Sequence, residues 1–186
     1  LLPLVAYRSL VVGSFGSLKA LANMIVAATP LMLTGLAVVV GLNPGLFNIG
    51  PTRQVLTGGF TAGLIGVGVA DASPYVAIPV ALLGGMLAGA LAGFVPGFLK
   101  AYTGAHEVVT TIMLNALIQL GISGLVNDVF RAPGFSFART APVGNAILEG
   151  AGNTTLHIGA LFAVICIPLS YWLLWRTTIG FEIRSV

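Results

Sequence analysis

Hydrophobic positions in this chain do not alternate; they run. Five apolar stretches, about 21–42, 55–70, 75–99, 108–127 and 158–175, are separated by short polar turns and by one long polar excursion over 128–157. An apolar helix of about 20 residues, rising 1.5 Å per residue, crosses a bilayer core of about 30 Å. The pattern therefore predicts an all-α polytopic transmembrane helical bundle, one membrane domain over residues 1–186. Residues 1–19 mix Tyr7, Arg8, Ser14, Ser17 and Lys19 with aliphatics and predict an interfacial segment.

Finer spacing gives some runs a second meaning. Gly85, Gly89, Gly93 and Gly97 recur every four residues and strip one helix face of side chains, a helix-packing face that lets another helix come close. The same spacing serves packing within the chain or dimerisation. Thr111, Asn115 and Gln119 also recur every four residues, so they share a polar face that looks into protein instead of lipid. Between the first two runs lies GLFNIGPTRQ, Gly45 to Gln54, preceded by Asn43 and Pro44. Its helix breakers and amides predict irregular backbone close to the bilayer, tolerated at depth only where protein or a water-filled cavity satisfies its polar groups.

Composition agrees with a membrane protein: 57% of residues are hydrophobic and 7% charged, against about 25% charged in a soluble domain. The net charge of +3 comes from eight basic and five acidic residues scattered through loops, which excludes a nucleic-acid surface. Cys166 lies inside an apolar run and reads as a small buried hydrophobe. Tyr171, Trp172 and Trp175 form an interfacial belt, and Arg176 and Arg184 follow. A cytoplasmic C-terminal end then puts Lys100 inside and Asp71, the long loop and the N-terminal segment outside. The first residue is Leu1 and a basic segment has just begun at Val186, so the chain reads as a piece of a longer one.

No catalytic constellation, metal cluster or cofactor signature is present. His106 and His157 adjoin polar loops. Glu107 reads as a dipole-favoured residue at a helix start, and Arg53 as a side chain snorkelling to the interface. Asn153, Thr154 and Thr155 match a glycosylation sequon, discounted for a chain of bacterial type.

Four blocks carry a family resemblance: ATPLMLTGLAVVV from Ala28, GLFNIG followed by Gln54, GAHEVVTTIMLNALI from Gly104, and WRTTIGFEIRSV from Trp175. In this order and spacing the chain resembles permease subunits of bacterial ABC importers of the nucleoside, simple-sugar and branched-chain amino acid family, closest to the nucleoside permeases. It departs where the family typically reads FNIGAEGQ and this chain reads FNIGPTRQ, and at His106, where Asn is usual.

The resemblance implies a multi-pass permease of the bacterial inner membrane, part of a longer inverted-repeat architecture, that binds no ATP and uses no cofactor. It implies a second permease subunit, identical or paralogous, cytoplasmic ATP-binding subunits and an extracellular solute-binding protein. Asn48, Gly50, Gln54, Thr111, Asn115 and Gln119 are then the candidate solute pathway. Arg176, Thr177, Thr178, Gly180, Phe181, Glu182 and Arg184 are the candidate segment that couples to the ATPase. Neutral amides suit an uncharged polar solute. A secondary transporter or channel would carry an ionisable residue in mid-membrane, and a non-transporting scaffold is a further alternative.

Overall fold

The structure, a computed structural model, describes residues 2–134, 139–147, 150 and 156–185. The sequon at Asn153 and part of the long excursion fall outside the described residues. Seven α-helices follow in order: α1 Leu2–Phe15, α2 Leu18–Leu42, α3 Pro51–Gly68, α4 Pro74–Thr103, α5 Glu107–Gly124, α6 Ile158–Arg176 and α7 Thr178–Ser185. A π-helical turn, Leu125–Val129, continues α5 into the excursion.

Among the described residues, four helical stretches are long and apolar enough to cross a membrane: α2, α4, α5 with its π turn, and α6. The run at 55–70 is absent from that set. It forms α3, whose 18 residues include Thr52, Arg53, Gln54, Thr57 and Thr61, so its composition is less apolar than its length suggests. Only 14 residues make up α1, too few to cross. The polar stretch after Leu99 does not begin a loop at once. Helix α4 continues through Lys100–Thr103 and stops at Gly104, which takes the left-handed conformation (φ +67°) that ends helices at glycine.

The described residues form two compact units divided within α2 after Leu36. In one, α7 folds back on α6. Thr177 Oγ1 accepts from the Gly180 amide at 3.1 Å and donates to the Leu173 carbonyl at 2.6 Å, capping the helix start. A side chain at Gly180 would collide with the carbonyls of Leu173 and Leu174. Arg184 lies over the Trp175 ring, 4.2 Å from its centroid.

The other unit contains α3, α4, α5 and the segment joining α2 to α3. Its packing rests on glycine: a Cβ at Gly58 would stand 2.8 Å from the Gly85 carbonyl oxygen, and one at Gly85 2.9 Å from that of Gly58. Farther along, Gly89 faces the Gln54 carbonyl and Gly93 faces the Gln54 amide. Gly85, Gly89 and Gly93 thus meet α3 within this chain, whereas Gly97 has open space beside it. At the far end the described part of the excursion closes on the α3–α4 turn, where the Asn145 amide donates to the Ala70 carbonyl at 3.2 Å and its Nδ2 to that of Ala72 at 3.1 Å.

Neighbouring glycines of α3 are therefore expected to respond in opposite senses. Gly58→Ala drives a methyl into a backbone carbonyl and should cost about 1–3 kcal/mol. Gly59→Ala meets nothing within 4 Å and should gain about 0.5–1 kcal/mol from reduced backbone freedom in the unfolded chain. Thermal unfolding of the detergent-solubilised protein would show the two shifts.

Candidate functional site: a buried guanidinium beside a helix break

The segment from Asn43 to Gly50 is the irregular backbone that its breakers predict. Asn43 Nδ2 donates to the Val39 carbonyl at 2.8 Å and caps the end of α2. Gly45, at φ +72°, turns the chain, with its amide on the Leu42 carbonyl and the Leu46 amide on that of Gly41, both at 3.0 Å. Asn48 Oδ1 accepts from the Gly50 amide at 2.8 Å, a local side-chain turn that holds the segment away from helix. Pro51 then starts α3 at the first helical position, where its missing N–H costs nothing.

Arg53, two residues on, does not snorkel. Its residue exposure is 1%, and its side chain runs between α4 and α5. Nε donates to the Ala92 carbonyl at 3.2 Å; Nη1 donates to the Thr111 carbonyl and to Asn115 Oδ1, both at 3.0 Å. Pro96 explains the first of these acceptors. With no N–H to return to the carbonyl four residues earlier, it leaves Ala92 without its helical partner, and Arg53 fills the vacancy. The second cause is space, because a side chain at Gly50 would occupy the position of the guanidinium. A helical side chain also leans toward its own N-terminus, which carries Arg53 back over Gly50 rather than out to an interface.

Asn115 joins this junction to the break. While its Oδ1 accepts from Arg53, its Nδ2 donates to the Ile49 carbonyl at 3.2 Å. One turn earlier Thr111, also 1% exposed, turns its hydroxyl back to the Val108 carbonyl. At the other end Lys100 Nζ donates to the Gly45 carbonyl at 3.3 Å and to Glu107 Oε1 at 3.0 Å. Ala92 precedes Lys100 by eight residues of α4, about 12 Å of rise. The break therefore descends from the Lys100 end of α4 by roughly two helical turns before α3 begins.

Of the six proposed pathway residues, the structure gathers Asn48, Gly50, Thr111 and Asn115 around the junction. Gln54 packs on Gly89 and Gly93 in the α3–α4 contact, and Gln119, one turn beyond Asn115, is exposed. A cleft of about 70 Å³ opens between Gly41, Leu46 and Asn48 on one side and Gly93, Glu107 and Thr111 on the other. Pockets for drug-sized ligands span about 300–1,000 Å³, so in this conformation the cleft admits water or a small group. Arg53 is the residue that sequence reasoning placed wrongly. Among the described residues no group of histidines, cysteines and carboxylates could hold a metal ion.

Apolar spans, with a cation bonded to backbone carbonyls beside an irregular segment, mark a polytopic membrane protein. Residues 20–186 match the family described as the permease component of branched-chain amino acid transport systems, and the chain belongs to that family. It is 31% identical, over 99% of its length, to a nucleoside ABC transporter permease of Lactococcus lactis, and 34% identical, over 97%, to a guanosine ABC transporter permease of Bacillus subtilis. A glucose ABC transporter permease of Haloferax volcanii is 31% identical over 99% of the chain. The chain spans about half the length of these curated relatives, 53%, 53% and 51% respectively. No solved structure gives a significant match.

Asn115→Ala removes one acceptor from a buried cation and one donor from the break, and it should destabilise the protein by about 1–3 kcal/mol. Arg53→Met removes the cation itself. Because both substitutions break the same bond, the double variant should cost less than the sum of the singles by about 0.5–3 kcal/mol. Thermal unfolding of the four proteins measures that difference, and strict additivity would contradict the shared junction.

Proposed function

We propose that the chain is the membrane-spanning subunit of an ATP-driven importer and forms the pathway for a nucleoside or related sugar-containing solute by alternating access. The observation that carries this reading is similarity to a nucleoside and a guanosine permease over nearly the whole chain. Partners in this reading are a second permease subunit, ATP-binding subunits on the cytoplasmic side and an extracellular solute-binding protein. Simple sugars are the second reading, favoured by the glucose permease among the relatives, and branched-chain amino acids follow from the family description.

Asn48, Gly50, Gln54, Thr111, Asn115 and Gln119 are proposed to form or support the wall of the pathway. Asn48 and Thr111 border the cleft, while Asn115 ties the break to α5. A cleft too small for a nucleoside suits an occluded conformation, and solute passage then requires the wall to open. ATPase coupling is assigned to Arg176, Thr177, Thr178, Gly180, Phe181, Glu182 and Arg184. Supporting it, α7 is short and leaves Ile179 and Phe181 exposed, 57% and 66%. Such an amphipathic segment suits a groove on a partner.

Reconstituted with its partner subunits, the full transporter is expected to take up nucleosides only while ATP is hydrolysed. Uptake of nucleosides that continues without hydrolysis would instead indicate a secondary transporter or channel, and a panel including glucose and leucine separates the alternative solutes. Phe181→Asp places a charge in the proposed contact and should reduce ATP-driven uptake at least tenfold, about 1.4 kcal/mol of coupling, with thermal stability unchanged. Wild-type uptake by this variant would remove α7 from the coupling role.

A further inference from the structure

The start of α3 holds more hydrogen-bond donors than the protein uses. Gly50, the residue before the helix, offers no capping side chain, and Asn48 Oδ1 is taken by the Gly50 amide. Pro51 has no N–H, and the amides of Thr52 and Arg53 have no partner among the described residues. Such free amides carry the positive end of the helix dipole and make a ready acceptor site. Independently, Arg53 folds back over Gly50 toward this same helix start, with Nη2 buried and without a partner. Nε and Nη1 are fully engaged by Ala92, Thr111 and Asn115. Among the described residues no carboxylate pairs with the guanidinium.

A buried donor left empty, as Arg53 Nη2 is, costs free energy, and in membrane transporters a helix start at an interrupted segment commonly faces the acceptor groups of the solute. We infer that the N-terminus of α3 and Arg53 Nη2 together form a solute subsite for a planar group presenting two adjacent acceptors. The inference rests on the nucleoside reading above and sharpens it to purines with an acceptor edge. Guanine presents O6 and N7 side by side, one acceptor for Nη2 and one for a helix amide, whereas adenine presents a donor beside N7. A carboxylate has the same two-acceptor geometry and is the other source of this chemistry. The cleft lined by Asn48 and Thr111 lies next to this junction, since the Thr111 carbonyl accepts from Nη1 and the Asn48 side chain accepts from the Gly50 amide.

The test is initial-rate uptake by the complete transporter in proteoliposomes, comparing guanosine, 7-deazaguanosine, adenosine, glucose and leucine. The unaltered transporter is expected to favour guanosine over 7-deazaguanosine by about tenfold in kcat/KM, the scale of the one hydrogen bond lost with N7. Arg53→Gln should bring that ratio close to one, and Arg53→Lys, which keeps the charge without the Nη2 donor, should retain part of it. Equal uptake of guanosine and 7-deazaguanosine by the unaltered transporter overturns the subsite, whether or not the variants fold. A preference of undiminished size in Arg53→Gln also overturns it, because discrimination then resides elsewhere. Uptake of leucine without any nucleoside overturns the nucleoside reading alone; if Arg53→Gln abolishes that uptake, the subsite stands with a carboxylate as its ligand. Uptake of glucose alone overturns both.

Discussion

Everything around the helix break depends on keeping one guanidinium hydrogen-bonded out of water. A cation taken from water costs several kcal/mol unless good geometry and additional hydrogen bonds compensate. Arg53 obtains that compensation from dipoles instead of a carboxylate: two main-chain carbonyls on different helices and one amide oxygen. Because the acceptors lie on α4 and α5 while the donor lies on α3, satisfying the charge fixes the relation of three helices at once. Asn115 extends the constraint to Ile49, at the end of the irregular segment nearest α3.

Two sequence features make the junction possible, and neither is polar. Glycine at 58 and 85 lets the backbones of α3 and α4 approach until each would-be Cβ meets the opposite carbonyl. Proline at 96 withholds an N–H from Ala92 and so leaves a buried carbonyl that needs a donor. Proximity and an unfilled acceptor together draw Arg53 inward, and Gly50 leaves room for it. Pro96 contributes by what it lacks: the same residue that weakens the α4 ladder supplies the site at which α3 is attached.

Four of the five apolar runs were legible as helices able to cross a bilayer, the run at 55–70 being the exception, and the break was legible because Asn43, Pro44, Gly45, Gly50 and Pro51 together disfavour continuing a helix. Helix ends were less so. Lys100–Thr103 looks like a loop by polarity, yet nothing in it breaks a helix before Gly104, and the helix runs on. The depth of Arg53 was not legible, since a lone arginine near a helix start reads the same whether it snorkels or turns inward. The deciding signals sit far away in sequence, at Pro96 and Asn115, and they acquire meaning only when the helices are brought together. Asn115 illustrates the opposite error of emphasis: of its polar face Thr111 is buried and Gln119 exposed, and both ends of the Asn115 amide are engaged by Arg53 and Ile49.

The two ends of the break are anchored by unequal means, and this bears on how it can move. At the Gly45 end the anchor is Lys100, paired with Glu107 where both side chains are partly exposed, 36% and 18%. Pairs of that kind contribute little and are screened by salt. Toward Gly50 the anchor is the buried Arg53–Asn115 junction, whose rupture would strand a cation. The weaker restraint on residues 43–50 is therefore the pair at Lys100, and the stronger is the guanidinium that ties the end of the break to α4 and α5.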